Sequence, residues 1–141
     1  MNSFDAMTNL TAQLKRALST ENFGVKVITT PSPVKEKGMI VKVSMLKTFI
    51  AKPGRNIRLR VSVCGAAESD QGLKDALTAI ERLDEYLQES KHLEDATGNP
   101  IANTRIVQQI AEEDSFFDSP DDPQVQEVQD DRIVTITIPI N

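Results

Sequence analysis

The chain has 141 residues with sixteen Lys/Arg against twenty-one Asp/Glu, one cysteine, one tyrosine and no tryptophan. That length predicts one domain with its own apolar core, and a lone Cys64 excludes an intrachain disulfide or a cysteine-only metal site and fits a reducing compartment. No run approaches about 20 apolar residues, so no membrane span is expected, and the start at Met1 lacks the basic and apolar regions of a signal peptide.

The net charge of -5 conceals a split. Residues 1–60 hold eleven Lys/Arg and only Asp5, Glu21 and Glu36 as acids. Residues 112–131 hold nine carboxylates and no cation. A fold built this way carries a basic and an acidic surface, which suits a charged partner or head-to-tail pairing of copies.

Residues 3–19 read as an amphipathic helix. Phe4, Met7, Leu10, Leu14 and Leu18 recur at three and four, with Asp5, Asn9, Gln13 and Arg16 between them; Ser3 is the expected cap. Gly24 precedes a short strand over 25–30, which Pro31-Ser32-Pro33 stops, and Lys35-Glu36-Lys37-Gly38 reads as a solvated turn.

A β-hairpin follows. Residues 40–50 are rich in β-branched side chains, and 57–64 alternates apolar Ile57, Leu59, Val61 and Val63 with Arg58, Arg60 and Ser62. The intervening 51–56 contains Pro53-Gly54, which suits a type II turn. Lys42, Arg58 and Arg60, with Lys52 and Arg55 at the tip, are expected on one outward basic face.

Ser69 or Asp70 caps a second helix, roughly 70–90, whose stripe is Leu73, Leu77, Ile80, Leu83 and Leu87 with Ala76. Thr97-Gly98-Asn99-Pro100 separates it from a strand within 101–111, with Ile106, Gln108 and Ile110 opposite Arg105, Val107 and Gln109. A last strand, 132–140, places Val134, Ile136, Ile138 and Ile140 on one face; Pro139 puts its end at or beyond a sheet edge. The acidic 112–131 between these strands reads as a flexible, turn-rich insertion, with Val125 and Val128 able to extend a strand. The fold expected is α+β: a two-layer sandwich with a mainly antiparallel sheet and both helices on one face.

Residue patterns for catalysis are sparse. The acidic tract has no glycine and so lacks the Ca²⁺-loop pattern. His92, the only histidine, has no orienting partner at a useful spacing. Cys64 ends a strand, where a thiol is ordinarily a small buried side chain. No phosphate-cradling glycine loop and no Gly-x-Ser-x-Gly occurs. The chain reads as non-enzymatic, with no metal or cofactor expected. The basic hairpin is either the wet face of a sheet, which is polar in any case, or a contact surface for phosphates or an acidic protein. The acidic composition and the few aromatics argue against a specific nucleic-acid partner.

With an N-terminal helix, a basic-tipped hairpin, Leu-Lys-Asp-Ala-Leu-Thr-Ala-Ile at 73–80 and Arg-Ile-Val-Thr-Ile-Thr-Ile at 132–138, the chain resembles the tail terminator (tail completion) proteins of long-tailed phages and prophages. The likeness runs from Phe4 to Ile140 and rests on element order. It implies a virion assembly protein without catalytic residues: a ring, typically of six copies, at the head-proximal end of the tail, formed in the host cytoplasm. That ring would cap the tube, end its polymerisation, and meet tube, sheath or connector proteins. The interface residues expected are Lys42, Lys52, Arg55, Arg58 and Arg60. The alternative is a small adaptor that binds an acidic protein or a nucleic acid through the same 40–64 hairpin.

Overall fold

A computed structural model describes residues 1–19, 26–29, 38–51, 54–89 and 91–140. The expectations for Gly24, Pro31 to Pro33, the 35–37 turn, Lys52 and Pro53 lie outside the described residues. Helix α1 (Ser3–Leu18) is followed by β1 (Lys26–Thr29), β2 (Ile40–Ala51) and β3 (Gly54–Ala67). Then come α2 (Asp70–Leu87), β4 (Arg105–Ile110), β5 (Phe116–Asp118) and β6 (Gln126–Pro139). The strands make one mixed sheet in the order β1-β2-β3-β6-β4, with β5 also on β6. Among the described residues β1 pairs with β2 in parallel and the other strand pairs are antiparallel. Both helices pack on one face, α1 over β1 to β3 and α2 over β3 and β4, which is the expected α+β sandwich. Among the described residues, no helix is long and apolar enough to cross a membrane.

The core lies between these layers. Met7, Leu10, Leu14 and Leu18 of α1 and Ala79, Leu83 and Leu87 of α2 meet Val41, Val43, Ile57, Leu59, Val61, Val63, Val134, Ile136 and Ile138 of the sheet. Burying these aliphatic side chains drives the layers together at roughly 25 cal/mol per Å² of apolar area.

Several expectations change in detail. The cap of α1 is Asn2, not Ser3. Asn2 Oδ1 accepts from Asp5 N at 2.8 Å and Asn2 N donates to Asp5 Oδ2 at 3.2 Å. Only a cap at Asn2 places a carboxylate three residues on to close this reciprocal box. Ser3 instead meets Thr48, hydroxyl to hydroxyl, at 3.1 Å. Phe4 is 67% exposed: stepping back from Leu18 through Leu14, Leu10 and Met7 leads to Ser3, so Phe4 lies off the buried line. Likewise the buried line of α2 runs through Ala76, Ala79, Leu83 and Leu87, which rotates Leu77 into solvent.

Gln13, expected on the wet side of α1, is buried. Its Nε2 donates to Tyr86 Oη at 2.9 Å and to His92 O at 3.1 Å, and its Oε1 accepts from Glu94 N at 2.9 Å. With these groups satisfied, burial of the amide is tolerated, and the segment after α2 is tied to α1.

The hairpin strands run further than 51–56 as a turn allows. Ala51 pairs with Gly54, Arg55 with Ile138 and Asn56 with Thr137, because the 14-residue β6 carries its ladder along the whole of β3. Gly54 has no positive φ, so the type II geometry expected of it is absent. It is glycine because a Cβ there would run into the Ile138 carbonyl oxygen. Ile140 falls beyond β6 and is exposed. Pro139 ends β6 past Thr137, the last residue paired with β4, so its missing N–H breaks no bond to that strand. Within 112–131, residues 116–118 form β5 and 126–131 belong to β6.

The open sheet face as a candidate functional site

Side chains alternate across a strand, and the core residues fix which set faces the helices. Ile57, Leu59, Val61 and Val63 point inward toward the helices, so Asn56, Arg58, Arg60 and Ser62 lie on the opposite face, which neither helix covers and onto whose far end the 111–117 segment reaches. Across this face the pairing makes rows. Lys47, Arg58, Thr135 and Val107 form one; Ser44, Arg60, Ile133 and Gln109 form the next; Phe49, Asn56, Thr137 and Arg105 lie nearer the tip. Those twelve positions hold four cations and no carboxylate.

The cations are crowded. Lys47 and Arg58 stand directly opposite one another, and Lys47 Nζ and Arg58 Cζ each lie 5.8 Å from the centroid of the Phe49 ring. Such contact with a ring face is worth roughly 0.5–1 kcal/mol at an exposed site. Like charges placed opposite across a ladder are unfavourable by a similar amount. Phe49 therefore organises two cations that repel each other.

Of the five cations expected to share this surface, Arg58 and Arg60 do so. Lys42 is on the same face but at its other end, in the row of Ser62 and Asp131. Arg55 alternates onto the helix-bearing face beside Ile138, which corrects its placement. Lys52 lies outside the described residues. Lys47 and Arg105 were not expected. A register shift between Met45 and Lys47 inserts Leu46 and reverses the alternation beyond it, and that turns Lys47 outward. Strict alternation from Lys42 would send it inward. Arg105 reaches the face only through the pairing of β4 with β6.

The acidic end lies diagonally opposite. Glu112, Glu113, Asp114, Asp118, Asp121, Asp122 and Glu127 are exposed, on the β6 side of the sheet and away from the hairpin tip. Glu127 pairs with Ala66, eight positions along β3 from Arg58, roughly 26 Å at the rise of a strand. Between the two ends, a cavity of about 410 Å³ opens on the face, lined by Arg60, Glu113, Asp114, Phe117, Asp131 and Ile133 among others. Its outer wall is fastened to β6. Ser115 O accepts from Gln129 N at 2.9 Å and Ser115 Oγ donates to Asp130 Oδ1 at 2.7 Å. Asp131 accepts from Ser62 Oγ at 2.5 Å and Gln129 Nε2 at 2.6 Å.

The remaining chemistry-bearing residues have structural partners. His92 Nδ1 donates to Thr104 O at 2.8 Å, beside the antiparallel contact of Lys91 with Ile106. Burial pushes the Cys64 thiol above its ordinary range, Lys42 pulls it back and Asp131 pushes it up; a thiol held protonated is a poor nucleophile. Asp95 is held below the usual carboxylate range by the Thr97 hydroxyl first, then by the Asn99 N–H. Among the described residues no three of His, Cys, Asp and Glu converge on a point that holds a metal. No family model matches the chain, and no curated protein matches it.

Proposed function

We propose that this protein is a non-enzymatic assembly subunit that joins copies of itself head to tail in a ring. This is the arrangement implied by its resemblance to tail terminator proteins, with the ring closing a phage tail tube at its head-proximal end. The observation that carries the reading is the diagonal placement of opposite charge. Lys47 and Arg58 lie on the β2–β3 side toward the hairpin tip and the exposed Asp118 and Glu127 lie on the β5–β6 side at the far end, while Arg60 stands between them, sharing a cavity with Glu113 and Asp114.

In a ring each subunit presents two different patches, one to each neighbour. Patches of opposite sign on opposite edges fit that geometry. Arg58 stands eight positions along β3 from the partner of Glu127, roughly 26 Å at the rise of a strand, so a contact between those two groups would be made between copies. Complementary potentials of this kind chiefly set the partner and speed the encounter.

Reversing Arg58→Glu and Arg60→Glu together tests the reading, since both side chains are exposed and neither belongs to the core. The double variant should keep the far-UV circular dichroism of the parent and associate at least about tenfold more weakly by light scattering. Unchanged association would refute the role given to this face.

A further inference from the structure

We infer that the cavity between β6 and the 111–117 segment is the seat for the β2–β3 hairpin of a second copy, entered by its Lys47 and Arg58. This rests on the assembly reading above and names the receiving half of that interface. The cavity sits on the open sheet face and combines two kinds of wall. Phe117, 48% exposed, and Ile133 offer apolar surface; Glu113 and Asp114 offer carboxylates exposed to solvent. Long cationic side chains are suited to such a wall, because their methylene stems bury against apolar groups while the charged head stays with acids or water.

The occupant follows from charge complementarity on the same molecule. Arg60 lines the β3 side of the cavity and Asp131 is already bonded to Ser62 and Gln129. A cation therefore enters on the loop side, toward Glu113 and Asp114. Arg58 of the same chain stands two positions from the cavity's near wall of Arg60 and Ile133 and six from its far wall. Ser115 abuts Gln129, whose β3 partner is Cys64, six positions from Arg58 and so roughly 20 Å along the strand. Lys47 and Arg58 of a neighbouring copy are exposed, crowded and without a facing carboxylate in their row. The cavity wall is set before binding, since Ser115 bonds β6 through both its carbonyl and its hydroxyl, and a preformed wall limits the ordering cost of association.

The test uses two full-length variants, Glu113→Lys/Asp114→Lys and Lys47→Glu/Arg58→Glu, each checked for native far-UV circular dichroism. Alone, each should associate at least about tenfold more weakly than the parent, because its hairpin and cavity then carry the same sign. Mixed in equal amounts they should co-assemble, each hairpin meeting a cavity of opposite sign, and added salt should weaken that mixture. If the cavity variant alone assembles like the parent, or the folded mixture fails to co-assemble, the inference is overturned. Should the hairpin variant fail to assemble while the cavity variant assembles normally, the assembly reading survives and this seat is wrong. A parent protein that is monomeric at all concentrations would remove both.

Discussion

Among the described residues Arg132 is the largest fully enclosed side chain, 1% exposed on the helix-bearing face of β6. Its guanidinium donates to Asp84 of α2, to Asp130 of its own strand and, at 3.3 Å, to Gln108 of β4. Its Nε has no partner among the described residues. A buried cation is tolerated only with such compensation, and removing one member of a buried set leaves the others uncompensated. Arg132→Met should therefore cost about 3–5 kcal/mol in urea denaturation, because Asp130 would stay buried without its cation. Removing Asp130→Leu as well should recover much of that loss. A single Arg132→Met variant within about 1 kcal/mol of the parent would contradict this account.

Read from sequence, Arg132 opens the last strand, with no local sign of its burial. The alternation of Val134, Ile136 and Ile138 extends back to it, so the face was legible, but the partners on α2 and β4 depend on tertiary packing. Gln13 escaped for the same reason: its partners Tyr86, His92 and Glu94 lie more than seventy residues away.

Among the elements, those whose period is local were legible. Both helices and the strands β2, β3 and β6 follow from 3.6- and 2-residue spacings. The elements whose character is set at a distance were not. β5 owes its pairing to β6. The true reach of the hairpin depends on the ladder of β6, and the face of Lys47 depends on a bulge that no local pattern announces. Gly54 makes the point sharply. It read as a turn residue, yet its hydrogen side faces the Ile138 carbonyl, with Ile138 C also at 3.0 Å from a Cβ built there. Since both neighbours are backbone, neither can rotate aside. Gly54→Ala should destabilise the fold by about 1–3 kcal/mol through overpacking at the tip, seen as a lower midpoint of thermal unfolding. An unchanged midpoint would show that β3 and β6 are less closely joined there than the structure has them.

At the scale of the molecule, the charge split along the chain becomes a charge split across a sheet. The basic half was expected on a hairpin surface, and Arg58 and Arg60 are there; Arg55 faces the other way and Lys42 stands near Asp131. The acidic half was expected as an insertion, and part of it continues the sheet as β5 and the start of β6. Being carried on the same frame, the two charged ends stand at a fixed separation, diagonally across the face. That fixed offset suits repeated head-to-tail contact better than contact within one chain.

Native mass spectrometry of the unaltered protein, at concentrations spanning the low micromolar range and at low and raised ionic strength, tests this most directly. A closed oligomer of three or more copies that dissociates as salt rises is the expected result, since interfaces between exposed charges are screened within about 10 Å at 0.1 M salt. A single monomeric mass under all of these conditions would contradict self-assembly through opposed charge.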